Sequence, residues 1–193
     1  MLFALPCAAA DLFLTPSSFA VSQGERVSVT IAGSTWKPAE VIEPVLIASS
    51  GIYNLTNLRE SEGALVVDGT AKAKGSLIAA ARGIQQRDQF FAKALLVCDA
   101  ESELARKPVG HMFEIVPQGP VAGGKLPVQI LLRGGGAARI ALELESGGRR
   151  QRVGITGDSG RFEVAVGAGV SRIIAEYVEP LGTLRASLSF EVK

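Results

Sequence analysis

Arg26-Val27-Ser28-Val29-Thr30-Ile31 alternates polar and apolar side chains at every step. A period of two puts Val27, Val29 and Ile31 on one face of an extended segment and Arg26, Ser28 and Thr30 on the other, which predicts a half-buried β-strand. The preceding Ser22-Gln23-Gly24-Glu25 supplies the turn that leads into it. Outward from this stretch the same signature repeats. Period-two or short apolar runs at 12–15, 19–21, 44–48, 64–68, 75–81 and 92–99 are broken by Gly, Pro, Asn and Asp, and no long segment carries a 3.6-residue amphipathic period.

Residues 101–110 are charged, contain Pro108 and break the pattern, so they are expected to be a linker. Beyond them, runs at 111–116, 126–132, 139–145, 151–156, 161–166, 172–178 and 183–192 give the spacing of an immunoglobulin-like sandwich. Ser146-Gly147-Gly148 and Gly157-Asp158-Ser159-Gly160 tolerate positive φ and fit hairpin turns. The expected fold is therefore all-β, two tandem immunoglobulin-like β-sandwich domains over 11–100 and 111–193.

Composition narrows the function. The chain has 193 residues, 47% hydrophobic and 6% aromatic, with a formal net charge of +1. That hydrophobic content argues against disorder, and near-neutrality removes the electrostatic footprint of a nucleic-acid binder. One His and two Cys cannot form a self-contained zinc or iron–sulfur site, which needs three or four clustered N/S ligands. Residues 1–105 hold 8 Lys/Arg against 11 Asp/Glu, and 106–193 hold 12 against 8, so the second half is the basic one.

Met1-Leu2-Phe3-Ala4-Leu5-Pro6-Cys7-Ala8-Ala9-Ala10 reads as the back half of a secretory signal, apolar and ending in small residues. An exported, periplasmic protein with no transmembrane span is the expectation. Export would leave Cys98 as a lone thiol, and its place in an alternating apolar run predicts a buried, inert side chain.

Residues 10–19, Ala-Asp-Leu-Phe-Leu-Thr-Pro-Ser-Ser-Phe, followed by Val21-Ser22-Gln23-Gly24-Glu25-Arg26-Val27-Ser28-Val29, resemble the opening of a bacterial exported family associated with nickel/cobalt importers, the nickel uptake substrate-specific region. Ala92-Lys93-Ala94-Leu95, Gly110-His111 with Glu114-Ile115-Val116-Pro117, and Thr156-Gly157-Asp158-Ser159-Gly160-Arg161 are similar to its later motifs. The resemblance implies a non-enzymatic periplasmic binding or accessory protein whose partner is a metal-uptake transporter or another envelope protein. Relatives carry a His where this chain has Ala10, so a chelate built on an early imidazole cannot form here.

His111 is then the remaining candidate metal ligand, with Met112 or Glu114 as helpers; the alternative is a hinge-proximal His hydrogen-bonded to backbone. A Ser–His–Asp triad would also have to use His111, and no Gly-x-Ser-x-Gly elbow exists. Glu60/Glu62 and Glu143/Glu145 fit the solvated side of a sheet better than an acid/base pair. Gly134-Gly135-Gly136 fits a hairpin, because no helix follows to make a phosphate cradle. Trp36 is either a ligand-contacting aromatic or a core plug. Arg149, Arg150 and Arg152 form either a basic patch or a charge-guarded edge. No catalytic residue, cofactor or nucleic-acid partner is expected. Beside the uptake reading stands a structural or adhesion-like envelope module that engages a protein through sheet edges.

Overall fold

The computed structural model describes residues 11–33 and 36–193; the signal-like segment 1–10 lies outside the described residues. The first half runs β1 (Phe13–Pro16), β2 (Ala20–Val21), β3 (Arg26–Ala32), β4 (Val41–Ala48), β5 (Gly51–Asn54), β6 (Thr56–Ser61), β7 (Ala64–Thr70), β8 (Gly75–Gln85) and β9 (Asp88–Cys98). The second half runs β10 (Phe113–Pro117), β11 (Lys125–Leu132), β12 (Gly135–Gly136), β13 (Ala141–Ser146), β14 (Arg149–Ile155), β15 (Arg161–Ala165), β16 (Gly169–Glu179) and β17 (Gly182–Val192). Two short 3-10 turns complete the set, and the described residues contain no α-helix. The chain is all-β, built of sandwiches.

The alternation in β3 does what its period requires: Val27, Val29 and Ile31 are buried, while Arg26, Ser28 and Thr30 lie on the other face. Four strands pair as β1-β3-β7-β6 in one small sheet, and β10 and β15 flank β11 in a second, with the short β12 also paired to β11. Everything else joins one nine-stranded sheet. Its main path is β14-β13-β16-β17-β9-β8-β4-β5, with β2 added on β9. The halves meet where β17 and β9 pair in parallel, from Leu184 opposite Gln89 to Ser189 opposite Ala94.

Side chains along β9 sort the two cores. Phe90, Ala92, Ala94, Leu96 and Cys98 belong to the core under the first small sheet, whereas Phe91 and Leu95 belong with the core under the second. Successive side chains on a strand point to opposite faces. The two small sheets therefore cover opposite faces of the long sheet, one over each half. Where the halves meet, both faces are covered. In β8, Leu77, Ala79 and Ala81 join the first core, while Ile78 and Ala80 are buried on the other side.

The segment 101–110 is strapped down. Its 3-10 turn, Glu103–Arg106, packs on β8. Ser102 Oγ accepts the Ser76 N–H at 2.9 Å, and Ser76 Oγ donates to the Ser102 carbonyl at 3.0 Å. Gly83 in β8 makes room for the Trp36 ring, because a Cβ there would sit 2.7 Å from it.

Candidate functional site

Two regions gather polar chemistry: the junction between the sandwiches, and the outer edges of the long sheet. At the junction, Lys93 from β9 meets Glu114 from β10, Nζ to Oε1 2.6 Å, with side chains 2% and 1% exposed. A buried ion pair holds only if its remaining lone pairs are satisfied. Glu114 meets that condition by accepting the Val109 N–H at 2.8 Å on Oε1 and the Gly110 N–H at 3.2 Å on Oε2. One carboxylate thus ties the end of the 101–110 strap to the seam strand. Burial pushes the Lys93 ammonium below its usual range, against the attraction of Glu114.

His111 lies beside this pair. Its ring packs on Phe91 with centroids 5.5 Å apart, and Nδ1 is buried with no hydrogen-bond partner. Burial depresses the imidazole to about 4; Glu114 opposes the shift, and Lys93 and Arg82 add to it. The ring is therefore neutral at pH 7. As a metal site the surroundings offer little: both oxygens of Glu114 already hold donors, and the cationic Lys93 and Arg82 also act on the ring. Among the described residues no three of His, Cys, Asp and Glu come together. Nδ1 also lacks the backbone hydrogen bond of the hinge reading.

On the opposite face of the long sheet, β1 and the residues before it close over the second half. Asp11 pairs with Arg150 at 2.5 Å, and Arg150 Nε also donates to Glu143. Burial raises the Asp11 carboxyl above its usual range despite the bond from Arg150. Arg172 pairs with Glu145 at 2.5 Å, donates to Thr15 Oγ1 at 3.0 Å and lies 5.0 Å over the Phe13 ring. Ser187 Oγ donates to the Leu12 carbonyl at 2.5 Å. Glu143 and Glu145 are thus engaged by arginines of β14 and β16, the strands that flank β13 in the same sheet. Glu60 and Glu62 are exposed.

Trp36 is a core plug: 5% exposed, its Nε1 donates to the Asp11 carbonyl at 2.9 Å, and it meets Phe90 edge-on at 5.0 Å. Cys98 is a buried free thiol, raised by burial above its usual range. Gly135 and Gly136 pair with β11, and a Cβ on Gly136 would collide with the Ser159 carbonyl. A cleft of about 500 Å³ opens where β17 parts from β9 and β2 takes over the edge, floored by Leu95, Val97, Leu126 and Phe190 with Glu101 and Arg106 at its rim.

Among the described residues the long sheet ends in β5 and β14, each paired on one side only. β5 is short and uncharged, with Ile52 68% exposed. β14 carries Arg149, Arg150 and Arg152 and is exposed over its first four residues. The sequence did not single out Lys93 as a site. Its signal was a lysine in a run, 90–98, whose other residues are all apolar.

No protein-family model matches the chain, and no curated protein does. Among solved structures it is similar to the BSP domain of a biofilm associated protein, with 14% identity and a TM-score of 0.29 over 91% of this chain and 29% of that one. It is similar to SGBP-B of the Bacteroides ovatus mixed-linkage glucan utilization locus, with 10% identity and a TM-score of 0.31 over 95% and 47%. It is also similar to the titin domains z1z2, with 14% identity and a TM-score of 0.28 over 95% and 94%. The chain spans less than half the length of the first two. At these TM-scores the likeness carries no argument, and the all-β sandwich class rests on the strand pairing itself.

Proposed function

We propose that this protein is a non-enzymatic module of the bacterial envelope that holds or spaces a protein partner through the open edges of its long sheet. One observation carries the reading: the sheet is fixed at its centre by two covered faces, yet both of its ends, β5 and β14, present a strand edge that is unpaired among the described residues. An open edge offers a row of N–H and C=O groups that an extended segment of another chain can join. The buried Cys98 thiol is compatible with an oxidising compartment, since it is shielded from pairing. Among the described residues no helix is long and apolar enough to cross a membrane.

A photo-crosslinking side chain placed at Ile52 on β5, at Arg149 on β14, and at the exposed turn residue Gln23 as control tests this in cells that make the protein. Covalent capture of a discrete protein from either edge position, and not from Gln23, is the expected result. Capture from neither edge, or equally from Gln23, would overturn it.

A further inference from the structure

Four arginines on or beside the last strand of the long sheet have no ion-pair partner among the described residues, Arg161 being the first residue of β15 in the second small sheet. Arg149 and Arg152 lie on β14, and Arg139 and Arg161 flank its far end, where the Arg139 N–H donates to the Thr156 carbonyl at 3.0 Å and the Gly157 N–H donates to the Arg161 carbonyl at 3.2 Å. All four are exposed. The nearby acids are already used: Glu143 by Arg150, Glu145 by Arg172 and Glu163 by Lys125. Asp158, in the turn before β15, is the one acid there with no ion pair.

This excess of positive charge runs along a strand whose outer edge is unpaired. Among the described residues β14 pairs with β13 on one side and with no strand on the other. Its seven residues give a partner strand a full-length template, and Ile155, 49% exposed, adds an apolar contact at the Arg139/Arg161 end. The opposite end of the sheet offers a contrast, because β5 has four residues and no charge. An edge guarded only against aggregation needs a charge or two. Four uncompensated guanidiniums on and around one edge make a field that selects the sign of what pairs there.

We propose that β14 accepts an extended acidic segment of a partner protein as one further strand, its carboxylates meeting Arg149, Arg152, Arg139 and Arg161. This rests on the sheet-edge reading above and assigns it to one edge and one charge class. The main-chain ladder supplies affinity and the arginines supply selection.

The test uses the full chain and a fluorescent peptide of about eight residues in Asp-Asp-Thr-Val repeats, which carries aspartate on both faces of the strand because Arg149 and Arg152 lie on opposite faces of β14, at physiological salt. Saturable binding near the micromolar range is expected. It should weaken about tenfold or more on Arg149→Glu with Arg152→Glu, and by a similar factor when alternate peptide amides are N-methylated, which keeps the charge but blocks strand pairing. Ile52→Asp on the other edge should leave it unchanged. The arginines are exposed and unpaired, so the double variant should melt with the wild type. Absence of saturable binding, indifference to N-methylation, or tighter binding of a single-stranded oligonucleotide of equal charge would each overturn the proposal. Crosslinking from Ile52 without any from Arg149 would leave the module reading standing and remove this edge assignment.

Discussion

β9 and β14 belong to the same sheet but live in different surroundings. β9 carries apolar side chains on both faces with one lysine among them, and the two cores take alternate residues from it. β14 has one strand neighbour among the described residues, three arginines and mostly solvated side chains. The contrast shows what sets the limits of such a sheet. Its centre can be doubly covered because Ala79, Ala80, Ala81, Ala92 and Ala94 let two layers approach closely, and its end is kept in water by charge. Disturbing the centre should therefore cost global stability, and disturbing the end should not.

Removing one partner of the central ion pair is the severest disturbance. Lys93→Met leaves Glu114 buried with only backbone donors, and is expected to lower stability by about 3–5 kcal/mol in urea denaturation. A loss below about 1 kcal/mol would mean that the pair is not a structural tie. Truncation in either core comes next. Leu96→Ala under the first small sheet and Leu188→Ala under the second are each expected to cost about 2–5 kcal/mol, read as a shift in urea midpoint.

His111 gives a pH signature of the seam. Its folded-state value of about 4 lies below the ordinary 6.5, so the unfolded chain takes up the proton first as pH falls. The stability it contributes is complete above about pH 6.5 and is lost toward pH 4, by about 2–3 kcal/mol. Glu114, Lys93 and Arg82 are the charged groups that face it. Asp11, whose value is raised, acts in the opposite sense, so the difference between wild type and His111→Gln isolates the imidazole. The variant should be flatter over that window in a series of melts, and parallel curves would contradict the assignment.

The smallest effect belongs to the contact between β1 and the second half. Burial already disfavours the charged form of Asp11, so Asp11→Asn should change stability by less than about 1 kcal/mol. Arg150→Ala should cost more than that, because it strips a donor from both Asp11 and Glu143.

Much of this fold was legible. The alternating run 26–31 lies within β3, and the segments read as strands around 64, 126 and 183 lie within β7, β11 and β17. β5 and β6 were not foreseen, because they are mostly exposed edge strands that each set only one half-buried side chain, Tyr53 and Leu58, against the core, too little to impose a pattern. The parallel pairing of β17 with β9 also left no local mark. It joins residues some 95 positions apart, and its only trace is an unalternated, alanine-rich run that suits a strand covered twice. Trp36 could be weighed only as plug or platform until its neighbours Phe90 and Gly83 were placed. Lys93 was hidden for a related reason: its partner Glu114 lies 21 residues on, across the strap.

The central claim is that the shared sheet makes the two sandwiches one cooperative unit. Differential scanning calorimetry of the full chain tests it most directly. The account predicts a single endotherm whose calorimetric and van't Hoff enthalpies agree, moved as a whole by Leu96→Ala or by Leu188→Ala. Two endotherms, each moved by only one of those substitutions, would contradict it.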